Sequence, residues 1–337
     1  MSERTDLLAS VANTIKTYRK GEIPEPTPEH VGCWLEQFTP AAQLPFLREF
    51  DYVMKESFLA RNRIENFLDE LIKNPKIVGS HPDLYWSLVN FLDIQKNGNS
   101  QAEMLSIFAK KIKYQYGINI KEDGCINGEF IYIDDVIFSG TRVIQDLEPW
   151  IFNQAPELAV INIIVIASHS GGEYHAHTRI NNAIEKSGKK ITVNYWCEFE
   201  VETRKSYRNR SQILWPTAIP RTTEVQAYMS LHSNSPFIPR QAFNTSVSSP
   251  FSSEAGRQIL ESEFFIAGAK IIAMSKNPKQ VMRPLGYSFF GVGFGSMIVT
   301  YRNCPNNCPL AIWWGDPEVT SGALNWYPLM PRKGYFS

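Results

Sequence analysis

The sequence predicts an α/β protein: a parallel-sheet core preceded by a helical region and followed by a mixed α+β extension. Three observations predict this. Between residues 85 and 197, short apolar runs alternate with helix-periodic segments, the order that builds a parallel sheet with helices on both faces. Before residue 79, apolar residues recur at helical spacing only. After residue 200, one helical stretch is mixed with short apolar runs and dense turns. The regions are placed at 1–78, 79–200 and 201–337.

In the first region, residues 5–20 read as a helix that Pro24, Pro26 and Pro28 break. Trp34, Leu35 and Phe38 begin a second helical patch. Phe46, Leu47, Phe50, Val53 and Met54 follow helical spacing, and Ile64, Phe67, Leu68, Leu71 and Ile72 repeat it. These aromatic stripes read as core, with a docking face for a partner as the alternative. In the second region, 85–94 (YWSLVNFLDI) is expected to be the first strand and 95–100 (QKNGNS) a polar turn. Ser100, with Glu103 three residues on, has the form of a capping box for a helix to about residue 116. A short strand over 118–121 and a turn at Asp123-Gly124 follow. Residues 130–133 (FIYI) are the central strand, and Val143, Ile144 and Leu147 recur at helical spacing after it. Residues 158–167 (LAVINIIVIA) form a strongly apolar strand. Gly171 and Gly172 are expected to turn the chain into a helix over 174–186, and 191–197 (ITVNYWC) is the last strand. In the third region, 236–250 reads as a loop, and Ile259, Leu260, Phe264 and Phe265 begin a helix to about Met274.

The stretch that carries chemistry is 130–147, FIYIDDVIFSGTRVIQDL. Its strand is expected to end on Asp134 and Asp135, and Ser139, Gly140 and Thr141 turn the chain into the helix. Such a loop leaves free N–H groups at the positive end of the helix dipole, where a phosphate binds. Gly140 allows close approach, and the hydroxyls of Ser139 and Thr141 add donors. Two carboxylates beside a phosphate repel it, so they face something else: a sugar diol, which donates hydrogen bonds, or a divalent cation, which takes hard oxygens. A ribose 5-phosphate fits both halves. The plain alternative is an ordinary strand-turn-helix with acids at a strand end.

Composition narrows the classes. Of 337 residues, 43% are hydrophobic and 20% charged, as in a globular protein with a sizeable core. The formal net charge of zero gives no global attraction to nucleic acid or anionic membrane. Five cysteines, odd in number and scattered, argue against a disulfide framework. The N-terminus carries charges throughout and lacks the apolar run of a signal peptide, and no apolar run is long enough to span a bilayer. A cytoplasmic protein is expected.

The order acid-acid-Val-x-x-Ser-Gly-Thr from Asp134 to Thr141, after an apolar strand, resembles the signature that binds 5-phosphoribosyl 1-diphosphate (PRPP) in type I phosphoribosyltransferases. The resemblance implies a phosphoribosyltransferase-like core. Asp134 and Asp135 would hold the ribose hydroxyls beside the reacting carbon. Ser139, Gly140, Thr141 and Arg142 would hold the 5-phosphate. Lys96, Asn97, Gly98, Asn99 and Ser100 stand where the family has its pyrophosphate loop; Mg²⁺ would arrive with the substrate, not at a resident site. Both loops follow strand C-terminal ends, where open α/β sheets bind ligands. Read alone, QKNGNS is a solvated turn with an N-cap serine. Two features depart from the family: Arg142 stands where a hydroxyl residue is usual, and 118–129 is short for the lid that closes over the reaction centre.

The last region lies outside the family's minimal core. The stretch 286–314 (GYSFFGVGFGSMIVTYRNCPNNCPLAIWW), with 324–332 (LNWYPLMPR), resembles the C-terminal part of phosphoribosyltransferase-like proteins of prokaryotic conflict (antiphage) systems. Arg302, Asn303, Asn306, Asn307, Trp313 and Trp314 either close a pocket over the ligand edge or are core and turn residues. Arg204, Lys205, Arg208 and Arg210 beside Tyr207 offer a phosphate- or nucleic-acid-binding cluster, or a solvated loop. Gly291–Gly295 (GVGFG) precedes a strand-like segment, which fails the context of a dinucleotide loop. His169, His175 and His177 suggest zinc, but positions two apart on a helix face different ways. Two readings of function follow. One is an enzyme acting at the anomeric carbon of PRPP or a nucleotide by positioning and charge stabilisation. The other is an inactive sensor of ribose phosphate that acts through a protein or nucleic-acid partner, in either case within a defence system.

Overall fold

The chain is described from a computed structural model, which covers residues 2–96, 98–120, 128–232, 237–242, 250–288 and 291–333. Its contacts divide it into two units, residues 62–205 and residues 1–61 with 206–337. The divisions differ from those drawn at 78 and 200. The stretch 62–78 goes with the sheet, and the two flanking segments build one unit together.

In the N-terminal segment, Ser2 caps α1 (Glu3–Ile15), its hydroxyl accepting from the Thr5 amide. The helix stops at Ile15 rather than near Lys20. Arg19 turns the chain with φ of +46°, and its amide donates to the Tyr301 carbonyl at 2.6 Å. Pro28 starts a helix instead of only breaking one: it opens α2 (Pro28–Leu35) behind a Thr27 cap. Helix α3 (Gln43–Ser57) and the two-residue β1 (Phe58–Leu59) complete the segment.

The sheet unit begins with α4 (Arg61–Leu71), α5 (Pro75–Val78) and α6 (Pro82–Leu88), followed by β2 (Asn90–Phe91) and α7 (Ser100–Tyr116). The strand expected over 85–94 is therefore mostly helix. Pro82 presets the first helical turn, Asp83 sits at its positive end, and only two residues reach the sheet. Residues 118–120 form no strand; Lys121 and the Asp123-Gly124 turn lie outside the described residues. Then come β3 (Gly128–Ile137), α8 (Thr141–Asn153), β4 (Leu158–His169), α9 (Ser170–Ser187) and β5 (Lys190–Val201). The four strands are parallel in the order β2-β3-β4-β5. Side chains of β3 and β4 pointing to one face, among them Phe130, Tyr132, Ile161, Ile163 and Val165, pack with Val143, Ile144 and Leu147 of α8 and Ala176 and Ile180 of α9. Trp86, Phe91 and Phe108 pack against one another outside that cluster.

The C-terminal segment carries α10 (Thr223–Leu231), α11 (Glu254–Ala273), β6 (Val299–Thr300) and α12 (Leu310–Trp313). β6 pairs in parallel with β1. Trp34 lies 4.7 Å from Phe50 and 6.4 Å from Phe264 of α11, ring centre to ring centre, and its Nε1 donates to the Ala311 carbonyl at 2.7 Å. The aromatic stripes are thus core. Trp313 is buried and its Nε1 donates to Cys308. Asn307 donates to the Tyr287 carbonyl, and Asn303 accepts from the Lys333 amide. Part of the 236–250 loop lies outside the described residues. Cys33, Cys197, Cys304 and Cys308 are free thiols. Among the described residues no helix is long and apolar enough to cross a membrane.

Candidate functional site

β3 is paired on both sides, so its apolar residues are buried and its C-terminal end is fixed between two neighbours. The strand does not end on the acids. Its pairing with β4 runs on through Val136 and Ile137. Successive side chains on a strand point to opposite faces, and the acids differ accordingly. Asp134 is 4% exposed; its Oδ1 accepts from the Asp135 amide at 2.9 Å and its Oδ2 from Gln95 Nε2 at 3.3 Å. Asp135 is half-buried, with Oδ1 accepting from the Val136 amide at 2.8 Å.

Gln95 belongs to the loop between β2 and α7, so Asp134 ties that loop to β3. The loop is braced from behind by Gln101, whose Oε1 accepts from the amides of Ile94 and Gln95 at 2.8 and 3.0 Å. Gln101 is wholly buried. Gly98 turns with φ of +105°, a conformation that glycine adopts without strain. The capping box does not form: Asn99 is the N-cap without a side-chain bond, and the Ser100 hydroxyl is engaged by the Gln95 amide group. Lys96 and Asn99 are exposed, and Asn97 lies outside the described residues.

A second link joins the two loops beneath the acids. Asp146, on the buried face of α8, accepts from the Tyr132 hydroxyl at 2.9 Å. Burial raises its pKa, against the lowering effects of that hydroxyl, the Arg142 guanidinium and the backbone N–H and charge of Lys96. Burial, reinforced by the charges of Asp134 and Asp146, drives the Tyr132 phenol far above its ordinary value. Asp146 thus stands where Lys96 of one loop and Arg142 of the other both reach it.

The loop from β3 to α8 is narrow. Gly140 is the N-cap of α8 with φ of +75°, and it gives no side-chain bond to the first turn. A Cβ there would lie 2.2 Å from the Gly172 carbonyl. The first amides of α8 have no helical partner. Ser139 and Thr141 are exposed and bonded hydroxyl to hydroxyl at 3.1 Å. Arg142 is exposed one residue further on.

Apart from Asn97, the residues singled out from the sequence converge on the C-terminal ends of β2 and β3. Gln95, Gln101, Tyr132 and Asp146 were missed. Asp146 had a signal: it falls on the apolar stripe of Val143, Leu147 and Trp150, where a carboxylate needs a partner. The three histidines do not converge. His169 is buried against the Ile137 carbonyl, His175 reaches the Ser139 carbonyl, and His177 lies beside Asn181. Among the described residues no group of three His, Cys, Asp or Glu side chains is placed to hold a metal. In the basic segment, Arg204 is paired with Glu202. Burial alone would raise Glu202, yet Arg204 and Ser170 hold it at about 2.

Residues 31–332 match the model of a family described as PRTase-CE. No curated protein matches. The solved structures that match include the crystal structure of orotate phosphoribosyltransferase from Aeropyrum pernix. It is 13% identical to this chain, with 39% of this chain and 69% of that chain covered and a TM-score of 0.22.

Proposed function

Since the chain belongs to the PRTase-CE family and is phosphoribosyltransferase-like, we propose that its α/β unit binds PRPP or a related ribose phosphate or nucleotide. One observation carries the reading: the β2–α7 and β3–α8 loops are joined by the Gln95–Asp134 bond, with Asp146 beneath both. The arrangement divides the labour between the acids. Asp135, the more accessible carboxylate, receives the ribose hydroxyls. Asp134 fixes the pyrophosphate loop of Lys96, Asn97, Gly98, Asn99 and Ser100 against the strand. Ser139, Gly140, Thr141 and Arg142 take the 5-phosphate through amides, hydroxyls and a guanidinium. Two adjacent carboxylates fit a magnesium ion whose other ligands are diphosphate oxygens and water, so Mg²⁺ enters with the substrate. Transfer or hydrolysis at the anomeric carbon then needs no protein nucleophile. The setting we propose is an antiphage defence system, on the resemblance of the C-terminal stretch.

Calorimetric titration of PRPP with Mg²⁺ tests this. Wild type should bind saturably, and Asp135→Asn, which keeps the shape and removes the charge, should bind at least about tenfold more weakly. Pyrophosphate release on turnover would assign the enzyme reading; binding without release would assign the sensor. No saturable binding to folded wild type would remove PRPP as the ligand.

A further inference from the structure

The start of α9 forms a bed for the loop that joins β3 to α8, and three consecutive carbonyls of that loop are turned into it. The Ile137 carbonyl accepts from Nδ1 of His169 at 2.9 Å. The Ser139 carbonyl accepts from Nδ1 of His175 at 3.1 Å. Between them, the Phe138 carbonyl lies directly over Gly172, so close that a Cβ there would fall 1.8 Å from its oxygen. A carbonyl only accepts, so both imidazoles carry their hydrogen on Nδ1.

These contacts decide which way the loop's amides face. A trans peptide is planar, with its C=O and N–H on opposite sides. Turning the Phe138 and Ser139 carbonyls toward α9 turns the amides of Ser139 and Gly140 away from it. Successive amides on one side of a tight turn form a concave donor set for an anion. The Gly140 carbonyl accepts from the Ile144 amide at 3.1 Å, so the donor set runs straight into the helix N-terminus.

We propose that His175 is a positioning residue for the anion loop: its Nδ1–H holds the Ser139–Gly140 peptide so that the Gly140 amide faces the bound phosphate. The proposal rests on the ribose-phosphate reading of this loop. His175 suits a clean test, because it is exposed and its truncation opens no cavity. Its removal frees the peptide to rotate, and the affinity lost is that of the donor it aims.

The test is calorimetric titration of PRPP with Mg²⁺, and of Mg²⁺-pyrophosphate, into wild type, His175→Ala and His175→Asn, with thermal melts alongside. Asn is the conservative variant, since its Nδ2 stands near the place of the imidazole Nδ1. His175→Ala should weaken PRPP roughly tenfold, as for one charge-assisted hydrogen bond. It should leave the melt and pyrophosphate binding unchanged, because pyrophosphate carries no 5-phosphate, and His175→Asn should restore most of the PRPP affinity. PRPP binding within twofold of wild type in His175→Ala would overturn the proposal alone, as would an equal loss in the Ala and Asn variants. A matching loss of pyrophosphate affinity would also overturn it, by marking a general structural role. Absence of PRPP binding to wild type would overturn the ribose-phosphate reading and this proposal with it.

Discussion

His169 is wholly buried, and burial pushes its imidazole down to about 4, against the opposing pull of its hydrogen bond to the Ile137 carbonyl. An unfolded histidine titrates near about 6.5. Between those values the unfolded chain binds a proton that the folded protein refuses, so stability is lost as the pH falls from about 6.5 toward about 4. Linkage sets the scale: about 1.4 kcal/mol per pH unit, hence about 2 kcal/mol between pH 7 and pH 5. His30, also lowered by burial, adds to the slope in the same direction. His169→Asn keeps a donor near Nδ1 and does not titrate, so it should flatten the fall by about that amount. Urea unfolding at the two pH values measures it, and an equal fall in both proteins would refute the assignment. At this scale the sequence was legible where chemistry clusters in order, as in Asp134 to Arg142. It was not legible where a partner comes from another segment, as for Gln95 with Asp134 or Asp146 with Tyr132. Nothing local to a glutamine tells that its amide braces a carboxylate on the next strand.

The strands at 130–133, 158–167 and 191–197 were readable because buried parallel strands are long apolar runs with few breaks. The segment 85–94 was not, since its apolar residues suit either period and the helix start at Pro82 lies outside the run. The glycine pair at 171–172 is the more instructive misreading. It stands inside the first turn of α9, not in a turn before it, because the loop after β3 crosses the helix where no side chain is present. Gly172→Ala therefore brings two effects of opposite sign. Alanine favours a helix interior over glycine by about 1 kcal/mol. The new Cβ, however, would overlap the Phe138 carbonyl, and both atoms are anchored in backbone. Overpacking of this kind costs about 1–3 kcal/mol or more, so the loop shifts and the variant should be less stable than wild type despite its better propensity. A lower denaturation midpoint with an unchanged m-value would bear this out. A stabilised variant would show that the crossing is looser than the contact distance implies.

At the scale of the molecule, periodicity marks faces but does not say which faces meet. The first 61 residues present aromatic stripes that read as a self-contained helical region, yet their partners lie some two hundred residues on. Trp34 donates to Ala311, Tyr18 donates to Pro331 at 2.8 Å, β1 pairs with β6, and Phe46 packs edge-on to Phe264 at 5.1 Å. The stretch 62–205, in contrast, holds the whole four-stranded sheet with its own helices. Truncation after residue 205 separates these cases. It removes α11, α12 and β6, leaving Trp34, Phe46 and Phe50 without the surfaces that bury them, and loss of such contacts costs several kcal/mol per large side chain. The sheet unit keeps its strand pairing and the apolar cluster beneath α8 and α9. Limited proteolysis of the 1–205 chain, read by mass spectrometry, should therefore degrade the first 61 residues and leave a resistant fragment beginning near residue 62. If 1–61 resists as long as 62–205, the N-terminal helices fold without the C-terminal segment, and the long-range contacts at Trp34 and Tyr18 add less than their burial implies.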